Sequence, residues 1–199
     1  MPKLNINNKD KIRQILSHKR SRLTTQEQQQ KSELIVKNIK QSSEFIQAKN
    51  IALYHAVRGE ADPSGLVSSN FTNLNKQFYL PVISLNKENN LVFAPINEST
   101  EYKHNSFSIP EPIVKNSKLI NTEDLDLVIM PLLGFDNKGN RLGMGGGYYD
   151  RCFAFKKLQT NKTILMGFAY DFQQLASLNA EPWDIGLDIL ATESQFIHF

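Results

Sequence analysis

The stretch Asp126-Leu127-Val128-Ile129-Met130-Pro131 constrains this chain more than any other. Its apolar residues run without polar alternation, and a strand of that kind must be covered on both faces, as in a sheet with helices on each side. The run predicts a central strand. Shortly downstream, Gly143, Gly145, Gly146 and Gly147 supply four of five consecutive residues, and a helix is expected from Tyr148. A strand, a glycine-rich turn and a helix in that order put a close-approaching backbone at the carboxyl end of a strand, where open α/β sheets bind ligands.

The rest of the chain alternates around this unit. Ile12, Ile15, Leu16 and Leu23 recur at helical spacing among Lys9, Lys11, Arg13, Lys19, Arg20 and Arg22, which predicts a basic amphipathic helix over residues 9–22 packed on the same domain. Thr24-Thr25-Gln26-Glu27 matches a capping box and predicts a second helix running to about Lys49. Residues 51–54 read as a strand, and Arg58-Gly59-Glu60-Ala61-Asp62-Pro63-Ser64 as a turn leading to another helix. Residues 77–82 and 91–94 are further strands separated by the turn-rich residues 84–90, whereas 97–124 read as mostly irregular. A strand at 163–168 follows, then a final segment with Trp183-Asp184 and Leu187-Asp188-Ile189. The pattern predicts an α/β class: a three-layer α/β/α, Rossmann-like single domain over residues 1–199 with a mostly parallel central sheet.

Composition narrows the function. A formal charge of +3 suits small anionic ligands and lacks the bias of a dedicated nucleic-acid binder. Cys152 is the one cysteine, so neither an intramolecular disulfide nor a multi-cysteine zinc site is available, and a reducing cytoplasm is the expected compartment. No apolar stretch has signal-peptide or bilayer-spanning length, so no membrane association is expected.

The glycine cluster lets backbone N–H groups at a helix start converge on an anion, with phosphate the expected ligand. Arg141 adds a guanidinium able to pair with two phosphate oxygens, and Asp150 a carboxylate for a hard cation. Phosphate, arginine and Mg²⁺ together suggest an ATP site. The competing reading is a tight turn with no ligand. The loop is neither G-x-x-x-x-G-K-[ST] nor a G-x-G-x-x-G with an acid about twenty residues on, so P-loop NTPase and dinucleotide-dehydrogenase readings fit poorly.

The run from Pro131 to Arg151, PLLGFDNKGNRLGMGGGYYDR, resembles the signature of the 5-formyltetrahydrofolate cyclo-ligase family, also called 5,10-methenyltetrahydrofolate synthetases. The resemblance extends to the helix with Lys9 and Arg13, residues 51–62, Leu80-Pro81-Val82 and Glu181-Pro182-Trp183-Asp184, and is loose only at about 97–122. It implies Mg-ATP-dependent conversion of 5-formyltetrahydrofolate to 5,10-methenyltetrahydrofolate: the formyl oxygen is phosphorylated, N10 attacks the activated carbon, and phosphate leaves. ATP and the folate are then the partners, with no nucleic acid, and a monomer is expected.

By the same resemblance, Lys9, Arg13 and Arg141 are the catalytic cations. Those three, with Leu142, Gly143, Met144, Gly145, Gly146, Gly147, Tyr148 and Tyr149, bind ATP. His55, Glu60, Met144, Gly145, Gly146, Gly147 and Tyr148 bind substrate, with Glu60 accepting from the pterin N–H groups. Asp150 and Asp184 hold Mg²⁺, with Asp188 an open alternative to Asp184. His55 reads equally well as a strand residue satisfied by a backbone partner. Trp183 reads as a core anchor ahead of the alternative, a ring packed over the adenine or pterin. Gly146 stands where some family members carry a lysine, which leaves Arg141, Lys9, Arg13 and the metal to neutralise the γ-phosphate. Two other functions compete: a catalytically altered relative whose basic helix docks nucleic acid or another polyanion, and an ATP-using enzyme for another pterin.

Overall fold

The computed structural model describes residues 9–67, 75–83, 91–113, 118–158 and 162–199. The predicted turn at 84–90 lies outside them. The chain opens with α1 (Lys9–Ser21) and α2 (Thr25–Lys40). The predicted capping box is formed: Glu27 N donates to Thr24 Oγ1 at 3.2 Å, and Thr24 N donates to Glu27 Oε2 at 2.8 Å. The second helix does not reach Lys49. It ends at Lys40, and Ser42 caps a separate α3 (Ser43–Gln47) by accepting from Phe45 N at 3.2 Å. A serine hydroxyl competes for backbone N–H groups, so it starts a helix more readily than it continues one.

The strands follow as β1 (Asn50–Ala52), β2 (Gln77–Ile83), β3 (Leu91–Ile96), β4 (Tyr102–His104), β5 (Pro110–Pro112), β6 (Leu127–Pro131), β7 (Gly134–Phe135) and β8 (Arg141–Leu142). After α4 (Tyr148–Cys152) come β9 (Ile164–Phe168), β10 (Ile189–Ala191) and β11 (Phe196–His198). Of the helix predicted after Pro63, one 3₁₀ turn (Pro63–Leu66) is described. The region read as irregular contains the β4–β5 hairpin, and the last strand was also missed, because three-residue strands give too little alternation to detect.

Seven strands form one sheet in the order β11-β10-β9-β6-β1-β2-β3, parallel except at β2–β3 and β10–β11. The α/β class and the mostly parallel sheet are as the sequence predicts, with β6 at its centre. Successive residues of β6 point to opposite faces. Leu127 and Ile129 join Ile35 and Ile39 of α2, while Val128 and Met130 join Phe135, Phe153 and Leu187. The second covering layer is thin, built from the five residues of α4, a 3₁₀ turn (Ala154–Lys157) and loops.

The sheet order fixes the place of a site. From β1 the chain moves one way to β2 and β3, then returns to β6 on the other side of β1 and continues outward to β9, β10 and β11. The order reverses between β1 and β6, so the loops leaving their carboxyl ends diverge and open a crevice. Asp126 sets the register there: its Oδ2 accepts from Lys49 N and Asn50 N, both at 2.9 Å, and so fastens β1 beside β6.

α1 lies outside this layering. Ile12 and Leu16 form a small cluster with Leu142, against Phe172, Leu175 and Leu178. Gly134 permits the approach, since a Cβ there would fall 2.9 Å from both Leu16 Cδ1 and Leu175 Cδ1. Phe153→Ala is expected to cost about 3–5 kcal/mol, the range for a buried aromatic truncated in a core. Leu158→Ala, at a position 87% exposed, should stay within about 0.5 kcal/mol. Urea denaturation of both variants checks the contrast.

Candidate functional site

The segment after β6 is held tightly before it reaches the glycines. Buried Gln173 donates through Nε2 to Leu132 O at 2.7 Å and to Leu133 O at 3.1 Å. In the β7–β8 turn, Asp136 is buried, and its carboxylate accepts from Lys138 N, Asn140 N, Asn140 Nδ2 and Leu178 N at 2.9 to 3.1 Å. Gly139, at φ +78°, closes that turn, which an L side chain would strain. The sequence offered no role for Asp136. The Asp-x-x-Gly pattern of a turn was the available signal.

β8 then delivers Arg141 and Leu142 to the crevice, and Gly143 to Gly147 wrap its edge. Gly145 (φ +99°) and Gly147 (φ +63°) take left-handed conformations, the latter as the residue before α4. Because α4 is a single turn of five residues, its dipole is small, and the helix-start attraction expected from sequence is carried instead by side chains. Gly146 has no such backbone demand. A Cβ on it would lie 2.8 Å from the Tyr148 ring, so the bare position lets that ring lie close.

Of the cations predicted from α1, Arg13 reaches this loop and Lys9 reaches the segment of Glu181 and Asp184. Arg13 Nε donates to Gly143 O at 3.0 Å, and Lys9 Nζ lies 3.2 Å from Asp184 Oδ2 and 3.7 Å from Glu181 Oε1. Arg141 is nearly buried, and its Nη2 pairs with Asp150 Oδ1 at 2.7 Å. Burial pushes its guanidinium below the ordinary value and Asp150 opposes the shift, so it remains a cation. Every cation of this group is therefore met by an acid, Arg13 by Asp10 at 2.6 Å.

Asp150 also accepts from Ile185 N at 3.0 Å, and Asp184 accepts from Glu181 N at 2.9 Å. Both line the crevice. Asp188 does not: its Oδ2 takes Lys156 Nζ at 2.5 Å and Leu165 N at 2.7 Å, at the start of β9 and away from the carboxyl ends. Trp183 is not a core anchor. It is 66% exposed on the rim, because the neighbouring Glu181 and Asp184 turn toward Lys9 and carry the indole outward.

The opposite wall comes from the loop after β1. Val57 to Glu60 form a tight turn with Glu60 N donating to Val57 O at 3.0 Å, and both central residues, Arg58 (φ 52°) and Gly59 (φ 76°), are left-handed. Glu60 Oε2 accepts from Val57 N at 3.1 Å, and burial raises its carboxyl above the ordinary value. His55 is not satisfied by a backbone partner. Its Nε2 is buried without a hydrogen bond among the described residues, its ring meets Tyr102 edge-on at 5.5 Å, and burial lowers its pKa.

These walls enclose a cleft of about 640 Å³, within the range of small-molecule sites. The sequence missed its roof. Asn105, Phe107, Ile109 and Glu111 of the β4–β5 hairpin line it, with Phe107 edge-on to Tyr148 at 6.4 Å. Burial pushes the Cys152 thiol up to about 12, which removes it as a nucleophile. Among the described residues no helix is long and apolar enough to cross a membrane.

The family model of the 5-formyltetrahydrofolate cyclo-ligase family matches residues 5–193. The chain belongs to that family. It is 37% identical to the 5-formyltetrahydrofolate cyclo-ligase of Haemophilus influenzae over 188 residues, covering 94% of this chain and 99% of that one. It is 32% identical to the enzyme of the same name from Escherichia coli K12, over 91% of this chain and 98% of that protein. The NMR structure of Aquifex aeolicus 5,10-methenyltetrahydrofolate synthetase superposes with a TM-score of 0.80 at 32% identity, covering 96% of this chain and 92% of that one. A Mycoplasma pneumoniae synthetase, at 23% identity and a TM-score of 0.72, shares the fold. This cyclo-ligase relative thus carries its cleft on the family's α/β scaffold.

Arg141→Ala leaves the Asp150 carboxylate without its cation, and should cost about 2–3 kcal/mol, below the usual loss for a fully buried pair because Asp150 keeps the Ile185 N–H and some water. Chemical denaturation reads this directly. His55, whose folded pKa lies below its unfolded value, contributes stability that is present above about pH 6.5 and is lost as pH falls through the folded pKa. His55→Asn should flatten that acid-side loss in denaturation series between pH 5 and 8.

Proposed function

We propose that this chain uses Mg-ATP to cyclise 5-formyltetrahydrofolate to 5,10-methenyltetrahydrofolate, releasing ADP and phosphate. One observation carries the reading: a single cleft joins the cations Lys9, Arg13 and Arg141 on one wall to Glu60 and His55 on the other. The first wall suits a triphosphate, the second a ring with N–H donors.

The pairing of charges supports it. Lys9 and Arg141 rest against Asp184 and Asp150, so a triphosphate arriving with a divalent cation exchanges partners without stranding a charge. The cations turn to phosphate oxygens and the carboxylates to the metal. The donor set fits Mg²⁺, which binds through one or two carboxylates together with substrate phosphates and water. Asp150 Oδ2 and Asp184 Oδ1 carry no hydrogen bond among the described residues, and are the oxygens to hold it. Held there by Asp150 and Asp184, the ion would supply neutralisation of charge on the phosphoryl group.

The residues then divide the work. Arg13 pins Gly143 O, leaving the N–H side of the loop toward the phosphates. Glu60 accepts from the pterin N–H groups and sets the ring's orientation, which holds the formyl oxygen toward the γ-phosphate. Phosphorylation turns that oxygen into a leaving group, N10 attacks the formyl carbon and gives up its proton to solvent, and phosphate departs with the oxygen. Arg141, desolvated beneath the loop, stabilises the negative charge of the transfer.

A polyanion-docking role for α1 has less support. Of the six lysines and arginines between Lys9 and Arg22, Lys9 and Arg13 turn to the cleft and Arg20 is buried. Incubation with Mg-ATP and 5-formyltetrahydrofolate should generate the ultraviolet absorbance of the methenyl product with one ADP per turnover. Lys9→Ala should raise the KM for ATP about tenfold, the effect of one lost charge-assisted contact. No product at high enzyme concentration would sink the reading, and turnover of a different pterin would redirect it.

A further inference from the structure

One buried charge lies outside the mechanism above. Arg20, in the last turn of α1, is 1% exposed, and it lies on the same buried face as Leu16 and Ile12, four and eight residues before it. An arginine is seldom buried without partners that matter. Its Nε donates to Arg58 O at 3.1 Å, and its Nη1 forms an ion pair with Glu60 Oε1 at 3.5 Å. Its backbone and stem pack under the same turn: a Cβ on Gly59 would lie 3.2 Å from Arg20 O and 3.5 Å from Arg20 Cγ. Arg20 thus touches Arg58, Gly59 and Glu60 together, the turn whose two central residues are left-handed.

We propose that Arg20 is a positioning residue for the folate side of the cleft: from within the core it fixes the Arg58-Gly59 turn and holds the Glu60 carboxylate in its cleft-lining orientation. It does not line the cleft itself, so it acts through Glu60 and not on substrate. The inference rests on the reading of Glu60 as the acceptor for the pterin N–H groups. α1 then braces both halves of the site. Toward one end Lys9 meets Asp184 and Arg13 meets Gly143 O of the glycine loop, and Arg20 meets the substrate turn about 16 Å along the axis from Lys9.

Electrostatics give the same dependence a second readout. Around Glu60 stand Arg20 from α1, Arg58 and Val57 N of its own turn, Tyr54 from the loop just after β1 and Tyr149 from α4. Burial raises the Glu60 carboxyl, and Arg20 is the strongest influence opposing it. Removing Arg20 therefore moves protonation of Glu60 to higher pH, and a protonated carboxyl loses acceptor capacity.

The test uses the full-length chain in steady state. Arg20→Met keeps the stem and removes the guanidinium. We expect the KM for the folate to rise about tenfold, the KM for ATP to stay within about twofold, and the acid limb of kcat/KM for the folate to move to higher pH. In a Glu60→Gln background, Arg20→Met should change the folate KM by less than about twofold, because the two residues act as one unit. Equal rises in both KM values, or an undiminished effect in that background, overturn the proposal. Should Arg20→Met fail to fold, Arg20→Lys gives the same reading: charge remains but the fork is lost, so the folate KM rises while the acid limb stays near wild type. An unchanged folate KM in Arg20→Lys overturns it too. Absence of turnover in the wild type would count against the cyclo-ligase reading, whereas an active wild type with variants lacking this split counts against Arg20 alone.

Discussion

The parallel pairing of β1 with β6 is the constraint on which the site depends. The pair is short, with Ile51 opposite Leu127 and Ala52 opposite Val128, and the Asp126 carboxylate reinforces it by taking both Lys49 N and Asn50 N. Because the sheet reverses its order there, the loop carrying His55 and Glu60 and the loop carrying Arg141 and the glycines must leave the same edge and part. A cleft between them follows from topology before any side chain is considered. Side chains decide only its lining.

What keeps the two loops in a fixed relation is α1, a helix that belongs to neither covering layer. It packs through Ile12 and Leu16 on Leu142, at the root of the glycine loop, and through Arg20 on the turn before Glu60. The small apolar contact alone would hold it weakly. The charged contacts at its two ends determine its rotation and position along its axis, because Arg13 must reach Gly143 O while Arg20 reaches Arg58 O. Burying Arg20 is costly wherever its guanidinium lacks acceptors, so its contacts with Arg58 O and Glu60 favour the arrangement in which both are made.

Much of the fold was legible because long apolar runs and caps are local signals. The central strand, the capping box at Thr24 and the glycine turn each declare themselves within ten residues. The β4–β5 hairpin did not, since three-residue strands with Pro110 and Pro112 resemble loop, and its contribution to the cleft was lost with it. Trp183 was misjudged for a related reason: an indole usually seeks the core, but the ion pairs of its neighbours Glu181 and Asp184 with Lys9 set its direction. Arg20 was not singled out, because a charged side chain on the face of Ile12 and Leu16 gives no core signal of its own, and its acceptor lies 38 residues away.

The sequence by itself determined the α/β class, the position of the glycine loop after the central strand, and the set of charged residues available to it. Family resemblance added Lys9, Arg13, Glu60 and Asp184, residues no local pattern would have selected. Only the tertiary structure decided the partners: Asp184 at the cleft and Asp188 tied to Lys156, Arg141 against Asp150, Arg20 beneath Glu60. The physical reason is that strand and helix formation are set by near neighbours in the chain. The state of a buried charge is set by whichever opposite charge the fold brings within a few ångströms, and for these residues that partner lies 9 to 175 positions away.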